Sequence, residues 1–393
     1  MKKIMLLLAA VCMLGMLCAS ADTKGEDSLF TEAMMKNSLV SVGNTERIQR
    51  AIAKAQSGEE VVIAYLGGSI TEGASAQPQT TRCYAYLSAR QFADRFMPDS
   101  KQLRYINAGI SGTPSLLGIT RAEQDVLSRK PDIVFVEFAV NDSNQMPYRI
   151  VYESLIRKLL SSETQPAVIL IFTFLDSGYS CQPHMQQVGK QYDLAMISVK
   201  DAIQPQINLG NMKWSDYSND YAHPNTEAHA FIADMIGFYF DQAAATPAEP
   251  WTMPEDTAYG KKWETLQNVR QDSACIVSTG SFSWGPDRCY SYTNGWKHLA
   301  AKGGMEPLVL ELECRGITIA FKQEKTSARG ACEVWVDGRK MKTLPGQADN
   351  AWGNIVTEMI DIGSESEMHT IEFRMAEGDE NKSFTLLDIG YVP

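Results

Sequence analysis

The chain has 393 residues, 44% of them hydrophobic and 21% charged, a globular composition that excludes a disordered or fibrous protein. That length suits two domains and can bury a useful core without disulfides or metals. A formal net charge of −11, with no basic cluster, argues against nucleic acid or an anionic membrane surface as partner, because phosphate contacts need Lys and Arg.

Residues 1–21 read as a signal peptide. Lys2 and Lys3 precede an apolar run, Met5 to Leu17, that is short for a membrane span, and Ala19-Ser20-Ala21 offers a small-x-small cleavage site. Its removal takes two lysines and no acid, so −11 becomes −13. The expectation is an exported protein, periplasmic, extracellular or at the cell surface, with no stable membrane span after signal removal. A lipoprotein anchored at Cys18 is disfavoured, since Leu17 stands where a small residue is preferred. Six cysteines follow the signal, four of them in the last third, so one or two disulfides are expected there, their pairing open.

Residues 44–58, NTERIQRAIAKAQSG, predict an amphipathic helix opened by an Asn or Thr cap; residues 22–40 are less legible. Short apolar runs then alternate with amphipathic stretches. The runs VVIAYL (61–66), LRYINAGI (103–110), DIVFVEFAV (132–140) and AVILIFTFL (167–175) read as buried strands. Helices are predicted over 83–96, 147–160 and 185–203, and a last one after Pro224. Such alternation implies an α/β domain with a parallel sheet covered on both faces.

Composition shifts at Ala243. AAATPAEPWTMPED carries three prolines and no apolar period, as a linker does. Beyond it, β-like runs separated by turn signals, including a hairpin at VDGR (336–339), predict an antiparallel sandwich. The expected organisation is a catalytic domain over 22–245, a linker over 246–260 and an all-β accessory domain over 261–393.

Four segments carry possible chemistry, each after a predicted strand or in the last loop, where parallel sheets bind ligands. In LGGSIT (66–71), Ser69 stands at a strand-to-helix turn, hydroxyl exposed as a nucleophile and N–H available to an oxyanion. A phosphate-binding turn is the other reading, but the P-loop lysine is absent. In NAGISGTPS (107–115), Gly112 lets a backbone N–H approach a substrate oxygen; an ordinary turn would look the same. In AVND (139–142), the Asn141 amide can donate to an oxyanion, or merely cap a helix, while Asp142 reads as an orienting group. In NDYAHPNTEAH (219–229), Asp220 can hold the tautomer of His223 that makes its other nitrogen a base. His229 reads as a hydrogen-bonded packing residue.

Taken together, these blocks resemble the SGNH hydrolases, also called GDSL-like esterases and lipases, across roughly residues 44–242. Ser69 in GGSIT matches the nucleophile block, Gly112 in GISGT and Asn141 in VND the two oxyanion blocks, and Asp220 and His223 in DYAHP the last. One departure is Gly68, where the family's usual GDS has Asp. The resemblance implies a flavodoxin-like three-layer fold and a carboxylic ester hydrolase with Ser69, Asp220 and His223 catalytic and Ser69, Gly112 and Asn141 as oxyanion hole. It implies no metal and no cofactor. The sandwich resembles more loosely the jelly-roll modules of carbohydrate esterases. Export and that module favour acetyl groups on a polysaccharide or oligosaccharide as substrate. A lipase, lysophospholipase or thioesterase of the same family, and a catalytically inactive carbohydrate-binding protein, are the alternatives.

Overall fold

The computed structural model describes residues 29–99, 102–301 and 304–393. The proposed signal peptide therefore lies outside the described residues. Among the described residues no helix is long and apolar enough to cross a membrane.

The N-terminal region is built on six strands: β1 (Leu39–Ser41), β2 (Val61–Gly67), β3 (Leu103–Gly109), β4 (Ile133–Glu137), β5 (Ala167–Phe172) and β6 (Ala195–Ser198). Their order is β1-β6-β5-β4-β2-β3, with β2 to β6 mutually parallel and β1 antiparallel at one edge. The five parallel strands thus follow the flavodoxin order, whose direction reverses around β2. Every residue of β2, β4, β5 and β6 is buried, which is why the first three read as continuous apolar runs rather than alternating ones. Helices pack on both faces, among them Tyr84–Phe96, Ser115–Asp125, Met146–Leu160 and Thr226–Ala245.

Two expectations need correction. The helix predicted over 185–203 is two helices, Gln182–Gln191 and Val199–Asn208, with β6 between them. Asp193, at a φ of 48°, turns the chain, and the four apolar-to-small residues of β6 complete the sheet. The expected disulfides are also absent: all six described cysteines are free. Geometry explains part of this. Cys314 pairs opposite Glu367 and Cys332 opposite Met375 on one and the same strand. Those partners are separated by eight residues, about 27 Å of strand, far beyond disulfide reach. Burial pushes the Cys289 and Cys314 thiols up to about 11, so they stay protonated.

The C-terminal region holds β7 (Gln267–Asn268), β8 (Ile276–Ser278), β9 (Phe282–Cys289), β10 (Tyr292–His298), β11 (Leu308–Cys314), β12 (Gly316–Gln323), β13 (Ala331–Val336), β14 (Arg339–Pro345), β15 (Asn354–Asp361), β16 (Glu367–Met375) and β17 (Phe384–Val392). One sheet runs β15-β12-β17-β10-β9, with β7 beside β17; the other runs β14-β13-β16-β11-β8. All pairs are antiparallel, and the inward residues of both sheets form one core. The β13–β14 turn places Asp337 and Gly338 at φ values of 50° and 76°, the left-handed pair a tight hairpin requires.

The two regions are packed together rather than tethered. Ile110 and Leu117 share a buried cluster with Tyr292, Ala320, Ile355 and Leu387 of the sandwich. The Thr120 hydroxyl donates to Thr318 at 3.0 Å, and Arg157 pairs with Glu264 at 2.8 Å. Residues 246–260 form no helix or strand but are held from beneath by Glu153 on the helix Met146–Leu160. This fully buried carboxylate accepts the N–H groups of Ala258 (2.7 Å), Tyr259 (2.5 Å) and Gly260 (2.8 Å) and the Tyr192 hydroxyl (2.6 Å). Glu153→Ala would leave three backbone donors unsatisfied. Urea denaturation should show a loss of roughly 3–5 kcal/mol, and an unchanged midpoint would contradict this role.

Candidate active site

The parallel sheet decides where the site forms. Strands β2, β3 and β4 end on one edge, and their loops carry Ser69, Gly112 and Asn141. After β2, the chain passes through Gly68 into a short helix, Ser69–Glu72, closed by Gly73 in the left-handed conformation at a φ of 101°. Gly67 and Gly109 are tightly enclosed. A Cβ on Gly67 would lie 2.5 Å from the Glu137 carbonyl, and one on Gly109 would lie 2.1 Å from the Glu72 nitrogen. The two loops can therefore close on each other only because these positions lack side chains.

His223 arrives from the other end of the domain, in the loop before the helix Thr226–Ala245, which Asn225 caps by accepting the Ala228 N–H. The Ser69 hydroxyl lies 2.9 Å from His223 Nε2, and His223 Nδ1 lies 2.7 Å from Asp220 Oδ2. The same carboxylate accepts the backbone N–H groups of Ala222 and His223 through Oδ1, each at 2.7 Å. Burial opposes ionisation of Asp220, but the His223 backbone and ring and the Ala222 N–H outweigh it and hold the carboxyl down at about 2. Asp220 is thus an anion at any ordinary pH. It fixes the proton on Nδ1 and leaves Nε2 with its lone pair toward Ser69.

Asn141 lies against the Ser69 turn, and Gly112 immediately precedes Thr113, whose carbonyl faces Gly68. Gly112 has a φ of 72°, a conformation that favours glycine. A Cβ placed on Gly68 would be 2.3 Å from Asn141 Oδ1 and 3.6 Å from the Thr113 carbonyl, so Gly68 sits directly against both blocks. Any side chain at position 68, the family's aspartate included, would require the Asn141 amide to move. Asp142 ties the blocks together from behind, its Oδ1 accepting the Ser115 N–H at 2.6 Å.

Several participants carried no sequence signal. Glu137, the last residue of β4, is fully buried beneath the Ser69 turn. It accepts the Thr173 hydroxyl at 2.6 Å and the Thr71 hydroxyl at 3.3 Å, and Thr71 in turn bonds the Tyr84 hydroxyl at 2.8 Å. Burial raises its carboxyl. It stood inside an apolar strand with nothing to mark it. The second is Trp352, from the loop between β14 and β15. A Cβ on Gly112 would lie 3.1 Å from its Cη2 atom, so an indole of the sandwich covers the Gly112 loop. The tryptophan residue is 61% exposed, and its ring N–H reaches the Tyr290 hydroxyl at 3.5 Å. Trp352 is one of seven tryptophans in the chain and has no local motif around it. Tyr290 also borders an open cavity of about 350 Å³ that runs along β3 past Arg121 and Asp125.

Burial is the first cause that raises Asp142, to about 7, and it outweighs the Ser115 N–H bond. A carboxyl raised in the folded state is destabilising once ionised. Its penalty is absent below the unfolded value near 4 and grows as pH rises toward 7. Asp142→Asn keeps the acceptor for Ser115 and cannot ionise. Its melting temperature should fall less between pH 4 and 7 than that of the parent; identical slopes would refute the assignment.

Residues 65–231 match the GDSL-like Lipase/Acylhydrolase family. A search of curated proteins gave no match. Among solved structures, the chain is similar to a two-domain esterase (CEX) active on acetylated mannans, at 27% identity and a TM-score of 0.81, covering 91% of this chain and 98% of that one. The same esterase co-crystallised with mannopentaose gives 27% identity and a TM-score of 0.80, over 91% and 97% of the two chains. Both regions of this chain thus find counterparts in one two-domain protein. The N-terminal domain is a member of the GDSL-like (SGNH) lipase/acylhydrolase family, and the protein is a carboxylic ester hydrolase.

Proposed function

We propose that this chain is an exported serine esterase that removes acetyl groups from an acetylated polysaccharide of the mannan class. The observation that carries the reading is the continuous hydrogen-bonded chain from Ser69 through His223 to Asp220. The similarity to an esterase active on acetylated mannans over nine-tenths of the chain supports the substrate class. The division into a catalytic domain (22–245), a linker (246–260) and a sandwich (261–393) belongs to the same proposal.

In the mechanism, His223 Nε2 takes the Ser69 proton as Oγ attacks the acetyl carbonyl. The resulting oxyanion is held by the Ser69 and Gly112 N–H groups and the Asn141 amide, each such donor contributing about 3 kcal/mol. His223 then gives its proton to the departing sugar oxygen. Water, deprotonated by the same nitrogen, attacks the acetyl-enzyme and releases acetate. Asp220 stabilises the imidazolium without itself taking the proton. Trp352, lying over Gly112, supplies an apolar ring face on which a neighbouring sugar can stack while its acetyl group reaches Ser69.

Acetate release from acetylated mannan tests the proposal directly. Ser69→Ala and His223→Ala should each lower turnover by about 10⁴ or more while leaving the melting temperature near that of the parent, with Asp220→Ala costing somewhat less. Activity confined to long-chain lipid esters would overturn the substrate class. Loss of Ser69 without loss of turnover would overturn the mechanism. Trp352→Ala should raise KM for the polymer about tenfold while leaving turnover of nitrophenyl acetate within twofold. An equal loss on both substrates would show that the ring supports the oxyanion loop instead.

A further inference from the structure

A second cavity, of about 390 Å³, opens on the sandwich away from Ser69. One wall is the pair Trp284 on β9 and Trp296 on β10, directly opposite each other in the strand register, with ring centroids 5.4 Å apart. Trp296 is buried and Trp284 is 38% exposed, so the outer indole is propped on a fixed inner one. The facing wall is the loop with Arg270 and Asp272, while Asn294 and, from the catalytic domain, Gln124 complete the rim. Gln124 lies nine residues beyond Ser115 along its helix, about 14 Å at 1.5 Å per residue, so the cavity is separate from the catalytic cleft.

The polar groups divide into two sets. In the floor, the half-buried Asp388 carboxylate accepts the Asn268 amide at 2.9 Å and the Tyr292 hydroxyl at 3.3 Å. These groups satisfy one another. At the rim, the side chains of Arg270, Asp272 and Gln124 and the Trp284 N–H make no hydrogen bond to another described residue. The ligand must therefore offer both donors and acceptors, together with an apolar face for the indole. An anion is disfavoured by Asp272 and Asp388, and a purely apolar ligand would strand the rim groups. A neutral pyranose meets each demand: its hydroxyls both donate and accept, and its C–H face stacks on an aromatic ring. The volume lies at the lower end of small-molecule sites.

We propose that this cavity is a second glycan-binding site, taking a neutral pyranose unit of a polysaccharide chain at a distance from the ester being cleaved. The choice of polysaccharide rests on the reading of the chain as a polysaccharide esterase. The cavity's position on the sandwich, with Gln124 of the N-terminal region at its rim, lets a single polymer be held here while another stretch passes Ser69.

The test is depletion binding of the full chain to insoluble deacetylated mannan, with xylan and cellulose in parallel. Deacetylated polymers remove catalysis from the measurement. The parent should be retained on at least one polymer, and Trp284→Ala should weaken retention about tenfold. Should Trp284→Ala fail to fold, as its melting curve would show, the exposed pair Arg270→Gln/Asp272→Asn carries the test with the same expected loss. Parent-like retention of the folded variants, or no retention of the parent on any of the three polymers, overturns the site. Acetate release from acetylated mannan is scored separately. Trp284-dependent retention without acetate release would sink the proposed activity and leave the site standing. Acetate release without such retention would do the reverse.

Discussion

The active site depends on a buried histidine that takes no part in the proposed chemistry. Ser69 and His223 are held by loops from opposite ends of the catalytic domain, and something must fix one against the other. His229 does so. Its ring is inaccessible to solvent, accepts the Tyr84 N–H at Nδ1 (3.2 Å) and donates from Nε2 to the Ala74 carbonyl (3.1 Å). Ala74 closes the Ser69 turn, and His229 opens the helix that follows His223. Burial first of all keeps the imidazole neutral, lowering it to about 4, so one nitrogen can accept while the other donates. The Gln77 N–H, donating to the Thr226 hydroxyl at 3.0 Å, makes a second stitch between the same two loops.

Sheet geometry supplies the remaining convergence. Parallel strands end on one edge, and the reversal of strand order at β2 opens the crevice there. Thr71, Thr173 and Glu137 fasten the Ser69 turn to the ends of β4 and β5. Behind them, the buried Arg121 guanidinium donates to the Gly67 carbonyl at 3.2 Å and pairs with Asp125 at 3.0 Å. Asp125 in turn accepts the Ser291 hydroxyl of the sandwich at 2.9 Å. A run of polar contacts therefore links the sandwich to the strand that leads into Ser69. With Trp352 over Gly112, the sandwich is part of the site's wall.

Much of this was legible in the sequence. Strands β2, β4 and β5 were readable because a parallel sheet covered on both faces favours near-continuous apolar runs. The five proposed site residues could be singled out because each sits where a strand or loop must end, beside glycines or Asx residues with a local reason to be there. Strand β6 was missed because four residues between two amphipathic helices carry no period of their own, and only pairing with β5 and β1 makes them a strand.

What the sequence by itself determined was the inventory and its local stereochemistry: a serine at a glycine-rich turn, an acid three residues before a histidine, and an Asn-Asp pair closing an apolar strand. These are properties of short segments, governed by nearest neighbours along the chain. What only the tertiary structure decided was everything that depends on residues distant in sequence. It set the 2.9 Å gap between Ser69 and His223, the indole of residue 352 against Gly112, and the free thiols where bridges were expected. Register and domain packing fix such distances, and neither leaves a mark on the local pattern of side chains.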